Sequence, residues 1–248
     1  DALVTDDGSG LVTDQISGFE TADLSGGAGD NTIDTSDFSG DASIFGGDGN
    51  DKLLAGANDD GREWAEGGNG DDKIFGGAND DTLIGGGADG AGTYQPLGVG
   101  SDTIGGGEGD DVIIGSSLSD SGAGSASGLA ADANGNDDGG NRLWGGNGDD
   151  TIIGAGGDDK LGGSNGSDMT FGLGGNDTSF GGAGDDTMVG GDGDDRFGGG
   201  EGDDSVLGGA GNDRLFGGNG DDTVSGGAND DVIFGANGDD NISGDDGD

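Results

Sequence analysis

The sequence predicts an all-β fold, a parallel β-solenoid of 18-residue coils, on three observations. From Gly145 to Ser243 eleven nonapeptides follow one another in unbroken register, as in GGAGDDTMV, GGDGDDRFG, GGEGDDSVL and GGAGNDRLF. Their form is G-G-x-G-x-D-x-U-x, with Asp sixth in all eleven and a large apolar residue eighth in nine, Thr170 and Ser179 being the exceptions. The third observation is composition: 69 glycines and only 27% apolar residues in 248. So little apolar surface cannot fill a conventional globular core. A short unit that buries its one apolar residue against stacked neighbours needs no such core.

Each part of the unit has its expected place. Positions seven to nine, such as Thr187-Met188-Val189, suit a short strand whose middle side chain points one way and its neighbours the other. The first six positions, rich in Gly, suit a tight turn with positive φ angles. Two units then make one coil, and stacked coils make two parallel sheets with the position-eight side chains between them.

Upstream the same unit recurs in shorter runs, at 46–54, 55–63 (eroded), 67–75, 76–84, 97–105 and 106–114. Residues 136–144 hold the register with Asn141 at position six. Three insertions separate them: Trp64–Glu66, Gly85–Pro96 and Gly115–Gly135, the last rich in Ser, Ala and Gly and read as a surface loop. In the first 45 residues only GGAGDNTID (26–34) resembles the unit, with Asn31 at position six. The expected organisation is therefore 1–45 as degenerate coils with few or no ions, 46–144 as an interrupted solenoid with loops at 64–66, 85–96 and 115–135, and 145–248 as an uninterrupted one. The chain opens without Met and ends five residues into a unit, and is read as a segment of a longer polypeptide.

Charge sets the chemistry. With 53 acidic and 7 basic residues the net charge is −46. Such a chain repels phosphate backbones and anionic lipids, which argues against nucleic-acid partners and membrane insertion. No run approaches the roughly 20 apolar residues of a membrane span. His and Cys are absent, which excludes Ser-His-Asp and Cys-His nucleophiles, disulfides and thiolate or imidazole metal sites. No enzyme activity is expected. Coils stack about 4.8 Å apart, so position-six carboxylates on successive coils would repel by roughly 3.5 kcal/mol per pair at an effective dielectric near 20. A bridging divalent cation reverses that sign. The candidate metal ligands are Asp51, Asp60, Asp72, Asp81, Asp102, Asp111, Asp150, Asp159, Asp168, Asp177, Asp186, Asp195, Asp204, Asp213, Asp222, Asp231 and Asp240. Carboxylates and turn carbonyls are hard oxygen donors in a flexible loop, a set that selects several Ca²⁺ ions over transition metals and over Mg²⁺.

These nonapeptides resemble the hemolysin-type (RTX) calcium-binding repeat, over about 46–114 and 136–243. The resemblance implies a right-handed parallel β-roll with Ca²⁺ between the turns of successive coils, held by position-six Asp side chains and loop carbonyls. It also implies an exported bacterial protein, secreted or extracellular, at the cell surface or free of it, often leaving by type I secretion and folding on meeting calcium. Asn31, Asn141 and Gly61-Arg62-Glu63 depart from the pattern. Position-five acids such as Asp149, Asp185, Asp194 and Asp203 are expected to face water rather than the ion. Six of the seven basic residues (Lys52, Lys73, Arg142, Lys160, Arg196, Arg214) fall at position seven, read as outward sites that offset nearby acid charge. Outward aromatics at position nine (Phe75, Trp144, Phe171, Phe180, Phe216, Phe234) are either ordinary variation or a lateral interface. Asp132-Asn134-Asn136 lacks the Gly and Glu of an EF-hand loop. The functional expectation is a calcium-rigidified structural segment of an adhesin, surface-layer or filament protein, with self-association end-to-end or laterally. The alternative is an accessory roll of an exported enzyme or toxin whose catalytic part lies outside this chain.

Overall fold

The computed structural model describes residues 2–5, 21–36, 38, 40–56, 61–86, 102–109, 111–115 and 140–247, with side chains from residue 21 onward. The described residues form a two-sheet parallel β-solenoid without helices. One sheet has twelve strands and runs from Ala2–Thr5 to Asn241–Asp246; the other has ten and runs from Thr32–Asp34 to Val232–Asn237. Ala2–Thr5 pairs directly with Thr21–Ala28, and from Thr21–Ala28 onward successive strands alternate between the sheets. Each therefore pairs in parallel with the strand two further on, Thr187 opposite Ser205 and Arg196 opposite Arg214.

Strands are longer than the three residues expected. Thr187–Asp192 and Arg196–Glu201 each cover positions seven to nine of one unit and one to three of the next. The turn is confined to positions four to six. Glycines at positions one and two continue the ladder because coil packing leaves no room for a side chain there. Gly191 has φ +118 and lies so close to Leu173 backbone that a Cβ would collide with it. The intrinsic preference of Gly for turns yields to this close approach.

Position eight builds the core. Leu53, Ile74, Leu83, Ile104, Ile113, Leu143, Ile152, Leu161, Met188, Phe197, Val206, Leu215 and Val224 are all buried. The two polar exceptions are buried as well, and Thr170 Oγ1 and Ser179 Oγ satisfy each other at 3.1 Å. This pair divides the apolar core into one cluster ending at Leu161 and another beginning at Met188.

One expected insertion proves to be part of the unit, and so do the first residues of the other two. Trp64–Asn69 is a strand, and Ala65 is a fully buried core residue opposite Ile44 and Leu83. Residues 64–66 are thus positions seven to nine of the eroded unit, and Trp64 packs its ring against Phe45 at 4.8 Å. Gly85 stands against the Asp102 carboxylate as Gly190 stands against Asp195. It is position one of that unit, and Gly115 has the same relation to Asn141. Most of 85–96 and 115–135 lies outside the described residues.

Candidate metal centre

Each turn delivers its position-six residue to one of two columns, one along each side of the roll. The Asp side chain turns inward and its Oδ1 accepts a hydrogen bond from the position-six N–H of the preceding coil. Asp177 N–H donates to Asp195 at 2.8 Å, Asp195 N–H to Asp213 at 2.8 Å, and Asp186 N–H to Asp204 at 2.9 Å. The ladder survives every irregularity of sequence: Asp51 to Asp72 across 21 residues, Asp72 to Asp102 across 30, and Asp111 to Asp150 across 39. Asp51, Asp72, Asp81, Asp102, Asp111, Asp150, Asp159, Asp168, Asp177, Asp186, Asp195, Asp204, Asp213 and Asp222 are all buried. Asp231 and Asp240, at the last coil, are half-buried. Asp60 lies outside the described residues. Its expected rung is taken by Glu63, whose N–H donates to Asp81 Oδ1 at 3.0 Å. Counting the unit from Ala55 hides this, because the three residues 64–66 shift position six from Asp60 to Glu63.

The second carboxylate oxygen decides the chemistry. Oδ2 of Asp72, Asp111, Asp177, Asp186, Asp195, Asp204 and Asp213 is buried and has no hydrogen-bond partner. It points at the position-one glycine of its own unit, beside the carbonyl of the next position-one glycine in the column. A Cβ on Gly190 would collide with both Asp195 Oδ2 and the Gly208 carbonyl oxygen, and the same holds at Gly199, Gly208 and Gly217. Two acceptors therefore lie beside the same glycine, and no donor reaches the carboxylate one. A buried polar group left in that state is costly, and a proton, a bridging water or a cation relieves it.

Asn141 is the exception that explains the rule. Its Oδ1 accepts from Asp102 N–H at 2.9 Å, as an Asp would, but its Nδ2 donates to the Gly154 carbonyl at 3.2 Å. An amide fills by itself the place where a carboxylate requires a positive partner.

Electrostatics agree. Burial pushes the carboxyls up, with the ladder hydrogen bond pulling the other way and neighbouring carboxylates adding to the rise. Asp111 reaches about 8, Asp72, Asp177, Asp186 and Asp195 about 7, and Asp204 about 6. Among the described residues no three acidic side chains converge on one point. Turn carbonyls or water must therefore complete the six to eight oxygens that Ca²⁺ takes.

Position five faces water, as expected, yet it does more than carry charge. Asp194 Oδ1 accepts from Asn212 N–H at 2.8 Å, and Asp185 and Asp203 accept from Asp203 and Asp221 N–H at 2.9 and 2.8 Å. These bonds run to the following coil, whereas those of position six run to the preceding one. Adjacent acids thus tie each turn to both neighbours. No sequence signal separated the two roles beyond their different phase.

The family model for the RTX calcium-binding nonapeptide repeat matches residues 23–37, 36–60, 58–90, 98–121, 135–169, 171–206, 198–233 and 216–248. Among curated proteins none matches this chain. With most of its length matched, and with its coils built turn by turn on the buried aspartates of the nonapeptide, the chain belongs to the RTX calcium-binding repeat family.

Proposed function

We propose that this chain is a calcium-loaded structural roll of a secreted bacterial extracellular protein, of adhesin, surface-layer or filament type, which folds and rigidifies as it binds ions. The observation that carries this reading is the repeated pairing of an orphaned buried carboxylate oxygen with a glycine carbonyl along both turn columns. In this reading the ligands are the position-six aspartates together with those carbonyls, and the residues before 45 carry few ions. Ca²⁺ supplies the positive charge that the ladder leaves unmet. The chain's own residues fix where it sits, because the Oδ1 hydrogen bond locks each carboxylate in one orientation.

Calcium titration followed by circular dichroism and small-angle scattering tests the proposal. Without divalent ions the chain should be expanded and lack β signal; Ca²⁺ on the order of 10⁻⁴–10⁻³ M should compact it. Mg²⁺ at equal concentration should substitute poorly. A compact β-rich chain in excess chelator would overturn the reading.

A further inference from the structure

The two outer faces of the roll are not alike. All six position-seven cations stand on the ten-stranded sheet, in strands beginning at Lys52, Lys73, Arg142, Lys160, Arg196 and Arg214. They form one exposed column in direct register: Lys52 beside Lys73, Arg142 beside Lys160, Arg196 beside Arg214, with Thr103 and Thr178 between the pairs. The twelve-stranded sheet carries Thr82, Val112, Thr151, Met169, Thr187, Ser205 and Thr223 at the same position. Offsetting acid charge does not account for this. In the uninterrupted run the turns leading into the twelve-stranded sheet are the more acidic at position five, with Asp149, Ser167, Asp185, Asp203, Asp221 and Asp239. Those leading into the cation-bearing strands alternate Asp158, Asn176, Asp194, Asn212 and Asp230. Among the described residues the one ion pair is Arg62–Asp80, so none of the six cations is engaged by a carboxylate.

Beside the cations runs a second column, at position nine. Its register is Phe75, Gly105, Trp144, Gly162, Phe180, Gly198, Phe216, Phe234. From Phe75 to Phe216 rings alternate with glycines, and Phe75, Trp144 and Phe180 each lean over the glycine of the next coil, whereas Phe216 and Phe234 stand on adjacent coils and stack with ring centroids 5.1 Å apart. Phe180 Cδ1 lies 3.4 Å from where a Gly198 Cβ would stand, and Trp144 Cδ1 2.8 Å from that of Gly162. The rings stay about half exposed, 42% for Phe75 and Trp144 and 54% for Phe180. Arg196 lies over the Phe216 ring at 5.7 Å. From Phe75 to Phe216 the rings thus recur every second coil, about 9.6 Å at 4.8 Å per coil.

We propose that this face, a local strip of cations on an otherwise strongly acidic roll, is a binding track for an extended anionic polysaccharide, its sugar rings stacked on the aromatic column and its acid groups paired at short range with the cation column, where salt screens the net charge of −46. Pyranose rings present flat C–H faces that suit the exposed face of an aromatic ring, whose amphipathic surface binds without full burial. Alternate sugars of an extended glycan share one orientation, which matches platforms on alternate coils. Cations beside the rings then select carboxylated or sulfated chains. A second copy of this chain is the weaker occupant, because a dry protein interface favours bulk at every coil. The other sheet offers that, with Ile84, Ile114, Ile153, Phe171, Val189 and Leu207 in one unbroken column.

The test uses the full chain in saturating Ca²⁺, with folding checked by circular dichroism. Carboxymethyl cellulose is the probe; hydroxyethyl cellulose and polyphosphate are the neutral and sugar-free controls. Affinity electrophoresis should retard the protein in carboxymethyl cellulose more than in either control. Trp144→Ala with Phe180→Ala should weaken binding about tenfold or more, and Arg142→Glu with Lys160→Glu should abolish it. Met169→Ala with Leu207→Ala, on the opposite sheet, should leave it unchanged. In a Trp64→Phe background the polymer should shift the emission of Trp144, which reads the face without altering it. Absence of retardation, equal retardation in polyphosphate, or unchanged binding in the face variants would overturn the proposal. So would sedimentation showing that the face variants dissociate an oligomer while polymer binding persists. Any of these outcomes leaves calcium-dependent folding, read by circular dichroism, untouched.

Discussion

Replacing Asp195 with Asn should change sign with calcium. Asp195 is 2% exposed, its Oδ1 accepts from Asp177 N–H at 2.8 Å, and its Oδ2 is orphaned beside the Gly208 carbonyl. Burial pushes its pKa up to about 7. Lifting a carboxyl from near 4 to 7 corresponds to about 4 kcal/mol against the charged form, which water and salt at the turn edge reduce to about 2 kcal/mol. Asn keeps the Oδ1 acceptor, and its amide can donate to Gly208 as Asn141 donates to Gly154, adding about 1 kcal/mol. In chelator at pH 8, Asp195→Asn should therefore stabilise the folded roll by about 2–3 kcal/mol. In saturating Ca²⁺ it removes a ligand and should destabilise the roll by several kcal/mol. Asp195→Ala lacks both the acceptor and the donor, and should be no better than wild type in chelator. Circular dichroism against trimethylamine oxide in chelator, and against urea in calcium, measures both signs. If Asp195→Asn destabilises in both conditions, or matches Asp195→Ala in chelator, the facing-acceptor account is wrong.

The same raised carboxyls set a pH dependence. Their ion-free contribution to stability is present below the ordinary carboxyl range near 4 and is lost as pH rises through about 6 to 8. Calcium-free chain should thus gain β signal on acidification from pH 8 to 5, while the calcium midpoint rises as protons compete; dichroism in calibrated calcium buffers reads both. Asp194→Ala loses the Asn212 N–H bond at 2.8 Å and should cost about 0.5–1 kcal/mol in urea melts, well below the effect of Asp195→Ala in calcium. Thr170→Val should cost about 1–2 kcal/mol by orphaning the Ser179 hydroxyl. Adding Ser179→Ala should recover much of it, and a strictly additive double mutant would show that the two hydroxyls are not coupled.

Much of this molecule is determined by period alone. A nine-residue spacing with one apolar and one acidic position allows a single way to bury the first and line up the second, so Ile113, Leu215 and the aspartate columns were legible at once. The alternate placement of Lys160, Arg196 and Arg214, at multiples of 18, was equally present in the uninterrupted run. Its extension to Lys52, Lys73 and Arg142 was not, because it depends on how each irregular segment is accommodated. That accommodation is tertiary. Ala65 enters the core and Glu63 takes the rung expected of Asp60 because the ladder of the neighbouring coils fixes which residue meets Asp81. Strand length was likewise decided by packing, since glycines that favour turns in isolation continue the ladder, at positive φ in position two, where adjacent backbones leave no space for a Cβ. The opposite hydrogen-bonding of Asp194 and Asp195, one to the coil after and one to the coil before, arises only when coils are stacked. So does the meeting of a carboxylate oxygen with a carbonyl from the next coil of the column. A sequence can place two acceptors at the right period, but only the stacked backbone brings them together and leaves the carboxylate oxygen without a donor.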